Sequence, residues 1–382
     1  MIPYGRQDIS EEDIQAVVEV LRSDFLTQGP MVPVFEQSIV NYCKVKYAVA
    51  VNSATSALHI ACLALDLNKG DWLWTSPITF VASANCALYC GAEVDFVDID
   101  PVSYNMSPKA LEEKLINAEK AGCLPKIVIV VHLCGQSCDM QAIHELSRRY
   151  GFAIIEDASH AIGGHYHKNK IGSCKYSDIT VFSFHPVKII TTGEGGMAVT
   201  NDKHLMAKME LLRSHGVTRN PEIMNAPTDG DWYYQQVELG FNYRMTEMQA
   251  ALGYSQMSRL DEYVTKRHEL VQNYDHMLAR LPLTTPKQTS DIYSAFHLYV
   301  IRVAAEKRKE TFNLLRENQI AANVHYIPVY SQPYYQKLYA YDSRDYIEAE
   351  KYYAEAISLP LFPKLELSQQ QHVVKILEQA LT

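Results

Sequence analysis

The chain has 382 residues, of which 47% are hydrophobic and 21% are charged, and its 35 basic and 44 acidic residues give a formal net charge of −9. This composition excludes a disordered, collagen-like or fibrous chain, and the acidic balance argues against a nucleic-acid scaffold, which is more often basic. The N-terminus is polar without a signal peptide, and no apolar run reaches the roughly 18 residues of a membrane span. We therefore expect a cytoplasmic protein that binds neither nucleic acid nor a membrane.

The first two thirds of the chain alternate short apolar runs with helical patterns. Some of the helical patterns begin at polar caps, such as Ser107 before Pro108, and Asp139. Strands separated by helices indicate βαβ crossovers, and hence an α/β fold with a mostly parallel sheet covered by helices. The predicted strands are 48–51, 72–74, 93–97, 127–131, 152–155, 179–182 and 197–199.

The last third of the chain follows a loop-rich stretch and predicts a different arrangement. A single long helix is predicted from Thr246 to about Leu281, ahead of a strand at 298–303, a helix at 306–318, a strand at 320–325 and two further helices. This order predicts a smaller C-terminal α+β domain, with the boundary inside the long helix. We assign residues 13–260 to a large α/β domain and residues 1–12 plus 261–382 to the small domain.

The eight cysteines mostly lie within apolar runs. A chain of this length can bury a large core without disulfides, and a free thiol packs as a small hydrophobe. We therefore expect eight reduced thiols. The C-x3-C spacings at 86/90 and 134/138 lack a nearby histidine pair, and His165, His167 and His185 have no carboxylate at metal-binding spacing, so no metal site is predicted.

Lys188 lies between apolar stretches, in the segment Val181-Phe-Ser-Phe-His-Pro-Val-Lys-Ile-Ile190. Burial disfavours the ammonium form of a lysine, which lowers its pKa and makes its amine nucleophilic. Such an amine can form a Schiff base with a carbonyl compound. A lysine that reaches solvent at the end of a strand explains the same pattern, and the local sequence does not separate the two interpretations.

The acidic pair in Glu156-Asp157-Ala-Ser-His160 directly follows a predicted strand. Ligands of open α/β sheets bind at the carboxyl ends of the strands, and a carboxylate there can pair with a cation. The ring nitrogen of pyridoxal phosphate needs such a partner, because the protonated ring is the electron sink. Acids that cap a turn or a helix are the alternative interpretation.

The segment Asn52-Ser-Ala-Thr-Ser-Ala57 is a strand-to-helix turn of small polar residues. Backbone N–H groups at a helix N-terminus favour a phosphate, and the hydroxyls of Thr55 and Ser56 add donors. Ordinary helix capping explains the same residues. By contrast, Gly193-Glu-Gly-Gly196 precedes a strand instead of opening a helix, so it is not a dinucleotide-binding motif.

A phosphate cradle, an acid after a strand and a lysine further along are together the parts that a pyridoxal phosphate enzyme needs. The chain resembles, over nearly its whole length, the fold type I sugar aminotransferases of the DegT/DnrJ/EryC1/StrS family. The segments that carry the resemblance are 52–58, 156–160, 183–188, Thr191-Thr-Gly-Glu-Gly-Gly196 and Gly240-Phe-Asn-Tyr-Arg-Met245.

The resemblance implies a role for individual residues. Lys188 would hold pyridoxal 5′-phosphate through its aldehyde, Asp157 would face the ring nitrogen, and His160, where the family often has Gln, would reach the ring hydroxyl. Phe80 would cover one face of the ring, with plain core packing as the alternative. The active unit would be a homodimer with active sites at the subunit interface. The implied phosphate ligands are Thr55, Ser56, Ser183 and, from the neighbouring subunit, Asn242.

Within the family, the chain resembles the branch that makes UDP-4-amino-4,6-dideoxy-N-acetyl-β-L-altrosamine for pseudaminic acid. The segments 24–29, 76–82 and 324–328 carry this finer resemblance. It implies transfer of an amino group, with L-glutamate as the donor, to C4 of a UDP-4-keto-6-deoxy-N-acetylhexosamine. The implied sugar-pocket residues are Tyr4, Asp24, Phe25, Leu26, Thr27, Ser56, Ser183, His325, Tyr326, Ile327 and Pro328.

Other functions remain open at this point. Another nucleotide-linked keto-sugar would suit the same motifs, and a non-catalytic homologue would keep the fold, although intact Lys188 and Asp157 argue against it. A related branch that dehydrates sugars carries histidine at the place of Lys188, so lysine favours transamination. Arg213, Arg219 and Arg244 are equal candidates for binding the carboxylate of the amino donor.

Overall fold

The computed structural model describes all 382 residues of the chain. None of its thirteen helices combines the length and the apolar character needed to cross a membrane. The helices are α1 (Glu11–Leu21), α2 (Met31–Cys43), α3 (Ala54–Ala64), α4 (Ala82–Tyr89), α5 (Pro108–Ala121), α6 (Met140–Tyr150), α7 (Lys203–Arg213), α8 (Glu247–Met257), α9 (Leu260–Leu278), α10 (Ala305–Glu317), α11 (Pro333–Leu338), α12 (Ile347–Glu355) and α13 (Leu367–Leu381).

The strands are concentrated in the first two hundred residues. They are β1 (Tyr47–Val51), β2 (Trp72–Thr75), β3 (Glu93–Phe96), β4 (Ile127–Val131), β5 (Ala153–Asp157), β6 (His165–Tyr166), β7 (Asn169–Lys170), β8 (Ile179–Ser183), β9 (Gly196–Thr200), β10 (Val217–Thr218), β11 (Gln235–Gln236), β12 (Ile292–Tyr293), β13 (Tyr299–Arg302) and β14 (Ala356–Leu359).

Seven strands form the central sheet, in the order β1-β9-β8-β5-β4-β2-β3. Neighbours pair in parallel except at β9, which runs antiparallel to both β8 and β1. The interior strand β4 reads Ile-Val-Ile-Val-Val and is buried at every position, as expected where helices cover both faces of a parallel sheet. The predicted α/β fold with a mostly parallel sheet is confirmed.

Polar caps start the helices that follow these strands. The side chain of Ser107 accepts a hydrogen bond from the N–H of Ala110 at 3.2 Å, and that of Asp139 accepts one from Ala142 at 3.3 Å. Each cap satisfies an N–H group that lacks a partner within its own helix. The helices α5 and α6 therefore begin where the sequence predicts.

A second core lies around the two-stranded antiparallel sheet of β13 and β14, which α9, α10 and α13 cover. The first residues of the chain join this part, because Ile2 N–H donates to Gln319 at 2.7 Å and Ala321 N–H donates to Ile2 at 2.8 Å. These contacts support the division into residues 13–260 and residues 1–12 plus 261–382, which stays a proposal. Val264 of α9 still packs against the core of the large part.

Two helices, α8 and α9, replace the single long helix predicted from Thr246 to Leu281. The backbone of Arg259 between them is non-helical, with φ −109° and ψ 4°. Its guanidinium bonds the carboxylate of Asp13 in α1 at 2.5 Å. The prediction of one helix is wrong because Asp13, 246 residues away in sequence, binds Arg259 where the helix is interrupted. A local sequence pattern cannot show such a long-range contact.

The prediction of a strand at 320–325 is also wrong. This segment makes only isolated bridges, from Ile320 to Ile2 and from Asn323 to Ser358. The segment lies along the edge of the two-stranded sheet, which explains its apolar pattern. Too few of its residues pair with a neighbouring strand for it to form a strand itself. The strand β14, which the sequence does not predict, pairs with β13.

Candidate active site

The carboxyl ends of three strands of the central sheet meet at one cavity. Asp157 ends β5, Ser183 ends β8, and Val51 ends β1 just before the first turn of α3. Gly196 pairs with both Ser183 and Val51, which places these strand ends side by side. The cavity has a volume of about 540 Å³ and is lined by residues of both proposed domains.

Lys188 lies in the loop between β8 and β9 and lines this cavity. Its backbone N–H donates to the carbonyl of His185 at 2.9 Å, which fixes the turn. Burial lowers the pKa of the Lys188 amine to about 8, and the opposing effect of the Asp157 carboxylate is smaller. A larger fraction of this amine is therefore unprotonated near neutral pH than for a lysine in water.

Asp157 is only 5% exposed, and its carboxylate accepts hydrogen bonds from uncharged donors. The hydroxyl of Ser83 donates to Oδ2 at 2.7 Å. The hydroxyl and the N–H of Ser159 donate to Oδ1 at 2.5 Å and 3.1 Å. A carboxylate that lines a cavity with hydrogen bonds from neutral groups only is suited to pair with a cationic ligand atom.

The first turn of α3 forms another wall of the cavity, and Ser53 caps it by accepting the N–H of Ser56 at 3.1 Å. The hydroxyl of Ser56 is turned inward and donates to Oδ1 of Asn52 at 2.7 Å. Thr55 lines the cavity, whereas Ser56 does not. The remaining N–H groups of this turn, together with Thr55, can therefore bind an anion such as a phosphate.

His160 lies on the cavity wall between two aromatic rings. Its Nε2 atom is 3.2 Å from the hydroxyl oxygen of Tyr326, and its ring centroid is 4.4 Å from that of His297. Burial lowers the pKa of both histidines well below the usual value, so both rings are neutral. The Nδ1 atoms of His160 and His297 are buried without a hydrogen-bond partner.

Phe80 lines the cavity and is 59% exposed. A side chain with so much free surface is not packed in a core, so the alternative of plain core packing is wrong. Its ring centroid lies 6.3 Å from that of Tyr326. The exposed face of Phe80 is available to cover a flat ligand in the cavity.

The structure brings most of the predicted site residues together. Those that line the cavity are Tyr4, Thr55, Phe80, Asp157, His160, Ser183, Lys188, His325 and Tyr326. Ser56, Ile327, Pro328 and Asn242 lie outside its lining, as does the exposed loop of Asp24, Phe25, Leu26 and Thr27 between α1 and α2.

Several lining residues escape the sequence analysis. Ser53 and Ser159 stand within the segments already singled out, so their hydroxyls could have been found there. His185 and Glu194 flank Lys188 in the same way. His297 has no local signal, since it stands before an ordinary predicted strand at 298–303 and reaches the cavity only through the fold.

Of the three candidate arginines, Arg213 already forms an ion pair within the chain. Its guanidinium donates to the carboxylate of Glu36 at 2.6 Å and to the carbonyl of Ala50 at 2.8 Å. Arg219 and Arg244 form no ion pair within 4.0 Å. None of the three arginines lines the cavity, so the binding of a substrate carboxylate by one of them stays a prediction.

Comparison with known proteins gives matches over nearly the entire chain. The model of the DegT/DnrJ/EryC1/StrS aminotransferase family matches residues 7–378. The chain is 39% identical over 370 residues to the spore coat polysaccharide biosynthesis protein SpsC of Bacillus subtilis, covering 95% of this chain and 93% of that protein. It is 37% identical over 383 residues to the UDP-4-amino-4,6-dideoxy-N-acetyl-beta-L-altrosamine transaminase of Campylobacter jejuni, covering 98% and 96%.

Solved structures agree in fold over the same length. Helicobacter pylori PseC, an aminotransferase involved in the biosynthesis of pseudoaminic acid, superposes with a TM-score of 0.91 at 33% identity, covering 100% of this chain and 99% of that chain. The PLP form of Streptococcus pneumoniae Spr1654, described as a sugar aminotransferase, gives a TM-score of 0.89 at 29% identity, covering 100% of both chains. The predicted fold type I architecture is confirmed.

The residues of the cavity fit pyridoxal phosphate. A lysine of lowered pKa and a carboxylate bonded only by neutral donors line the same space. A Cβ added at Gly196 would lie 2.5 Å from the backbone N of Ala54, so the glycine lets the first turn of α3 approach the sheet. The unpartnered Nδ1 of His160 adds hydrogen-bonding capacity beside them.

Proposed function

Since the chain belongs to the DegT/DnrJ/EryC1/StrS aminotransferase family and is a pyridoxal phosphate-dependent sugar aminotransferase, we propose that it makes UDP-4-amino-4,6-dideoxy-N-acetyl-β-L-altrosamine. The amino group would pass from L-glutamate to C4 of UDP-2-acetamido-2,6-dideoxy-β-L-arabino-hex-4-ulose. Support comes from the likeness to the Campylobacter transaminase and to PseC. The similar identity to SpsC makes another nucleotide-linked keto-sugar the alternative substrate.

The observation that carries the proposal is the placement of Lys188 and Asp157 in one cavity. Pyridoxal phosphate, when bound, supplies an aldehyde that reacts with amines and a ring that delocalises electrons. Because the Lys188 amine has a pKa of about 8, it can release and take up a proton at Nζ near neutral pH. It would move the proton that transamination shifts between carbon atoms.

Asp157, His160 and Phe80 would orient the ring. The carboxylate of Asp157 would accept a hydrogen bond from the ring nitrogen and keep it protonated, with Ser83 and Ser159 holding the carboxylate in place. Neutral His160 would bond the ring oxygen, and exposed Phe80 would exclude water from one face. The phosphate ligands in this proposal are Thr55, Ser183, the first turn of α3 and, less directly, Ser56.

The sugar pocket would lie on the side of the small domain. The Nδ1 atom of His325 forms a hydrogen bond with Oγ of Ser358 at 2.8 Å, and the ring centroid of His325 lies 5.2 Å from that of Tyr4. Burial and the charge of Lys188 lower the pKa of His325 to about 3, so it is neutral at physiological pH. Neutral hydrogen-bonding groups beside aromatic faces suit an amphipathic sugar.

A homodimer is part of the proposal, with Asn242 of the partner subunit reaching the phosphate. In the single chain, Asn242 and the loop from Asp24 to Thr27 are exposed. Exposed apolar side chains lie in the same parts of the sequence, since Leu239 is 77% exposed and Phe25 is 52% exposed. Apolar surface of this kind supports an interface between subunits. A cytoplasmic location stays a prediction.

The test is product analysis. The cofactor-loaded protein is incubated with L-glutamate and a panel of UDP- and GDP-linked 4-keto-sugars and 3-keto-sugars, and the amino-sugars are identified by NMR. We expect the altrosamine product to form fastest. Faster turnover of another keto-sugar would replace the proposed substrate, and no turnover of any keto-sugar would contradict the catalytic assignment of the site.

A variant of the lysine checks the same point. Lys188→Ala should lose the visible absorption band of lysine-bound cofactor. Its turnover should fall by about 10²- to 10⁴-fold, because the substitution removes the proton-transfer group. Lys168→Ala is the matched control, since Lys168 is exposed and does not line the cavity. A Lys188→Ala protein with normal activity would remove this residue from the mechanism.

A further inference from the structure

Tyr326 was assigned to the proposed sugar pocket, but its ring also lies beside residues that are proposed to hold the cofactor. Its hydroxyl lies 3.2 Å from Nε2 of His160, and the two rings are inclined by only 19°. Its ring also lies 6.3 Å, centroid to centroid, from that of Phe80. Tyr326 therefore neighbours both the residue proposed to bond the edge of the cofactor ring and the residue proposed to cover its face.

The Tyr326 hydroxyl and the His160 ring are both uncharged hydrogen-bonding groups. Burial is the main effect that raises the pKa of Tyr326 above its usual value, so the hydroxyl keeps its proton. Burial lowers the pKa of His160, so its ring is neutral. A hydroxyl rotates its hydrogen to suit its partner. With the ring proton of His160 on Nε2, these two groups 3.2 Å apart can both donate to one anionic oxygen that lies beside the pair.

We propose that the Tyr326 hydroxyl is a second hydrogen-bond donor, beside His160, to the anionic ring oxygen of pyridoxal phosphate. This inference rests on the proposed placement of the cofactor ring against Lys188 and Asp157. It makes Tyr326 a catalytic residue in contact with the cofactor. Because Tyr326 belongs to the proposed small domain, the hydrogen bond also joins the two domains across the cavity.

The contact has a consequence for proton binding at the lysine nitrogen. A donor on the ring oxygen stabilises its negative charge, and this weakens the attraction of that oxygen for the neighbouring proton. The lysine-bound nitrogen then loses its proton at a lower pH than it would without the donor. Removing the hydroxyl should therefore move the pH midpoint of the visible absorption band upward.

The experiment is a pH titration of the visible absorption of cofactor-loaded wild-type protein and Tyr326→Phe. We expect the variant to bind the proton about tenfold more tightly, the size expected for one lost hydrogen bond to a charged oxygen. Tyr326→Leu should move the midpoint in the same direction. Tyr330→Phe is the matched control with no change, because the hydroxyl of Tyr330 bonds Glu350 at 2.6 Å outside the cavity.

A double variant separates a direct contact from an effect through His160. The midpoint should still rise when Tyr326→Phe is added to His160→Ala, because the hydroxyl itself reaches the ring oxygen. An unchanged midpoint in Tyr326→Phe overturns the proposal, and so does an effect that disappears in the His160→Ala background. Loss of the band from both Tyr326 variants, with circular dichroism unchanged, would support the contact. A wild-type protein without the band would contradict Lys188 instead, so the two failures are distinguishable.

Discussion

The Nε2 atom of His132 lies 2.7 Å from Oε2 of Glu156, and both side chains are buried. The N–H of Cys138 donates to Nδ1 of His132 at 3.1 Å, so Nε2 carries the proton that Glu156 accepts. Asp157 is the next residue of β5 and lines the cavity. Successive side chains of a strand point to opposite faces, and the two acids therefore have different tasks.

The first prediction concerns Asp157. Asp157→Asn should still bind pyridoxal phosphate but lose at least about 10²-fold in kcat, because an amide does not hold the ring nitrogen in its cationic state. Single-turnover kinetics with L-glutamate measures the loss, and cofactor titration measures the binding. Glu156→Gln is the matched control at the adjacent position. If both variants kept the wild-type kcat, Asp157 would have no part in the electron sink.

The second prediction concerns stability at Glu156. Burial raises the pKa of its carboxyl, but the hydrogen bonds that it accepts from His132, Ser177 and Thr180 outweigh this and lower it. The folded pKa thus lies below the unfolded value of roughly 4.3. The resulting stabilisation is present above that pH and is lost as the pH falls through the folded pKa.

Urea unfolding of wild type and Glu156→Gln across pH 3 to 7 measures this effect. The variant should be less stable by about 1–3 kcal/mol at pH 7, and the difference should shrink towards acid pH. A difference that stayed constant over the whole range would show that the charge of Glu156 does not matter.

The third prediction concerns the pH dependence of cofactor capture by Lys188. The unprotonated amine is the reactive form, so the rate at which protein free of cofactor captures pyridoxal phosphate should rise with a midpoint near the lowered pKa of about 8. Stopped-flow absorbance measures this rate. Asp157→Asn should move the midpoint lower, because the carboxylate raises the pKa of Lys188. A midpoint near the ordinary value of 10.5 would mean that Lys188 is solvated.

The fourth prediction separates the two hydroxyls of the α3 turn. Thr55→Ala should weaken cofactor affinity by roughly 10- to 100-fold, the value of one hydrogen bond to a charged group. Ser56→Ala should cost about 1 kcal/mol of folding stability with a smaller effect on affinity, because its hydroxyl bonds Asn52. Fluorescence titration and thermal unfolding measure the two quantities. Equal losses of affinity would return Ser56 to the phosphate site.

Features that depend on neighbouring residues could be predicted before the fold was known. The apolar run of β4 and the caps at Ser107 and Asp139 are local signals, and they placed strands and helices correctly. Lys188 and Asp157 could be singled out because each stands next to an apolar run that ends at the same edge of a parallel sheet. The family motifs then supplied the reaction and the cofactor.

Contacts between distant parts of the chain complete the site. Ser83 bonds Asp157 across 74 residues of sequence, and Tyr326 bonds His160 across 166. Sheet crossovers and the packing of the C-terminal part of the chain against the sheet create these contacts, and neither leaves a periodic pattern in the chain. The break at Arg259 has the same origin, because its partner Asp13 lies in another helix. Local preference fixes an element, whereas packing between distant elements fixes where it ends and what it touches.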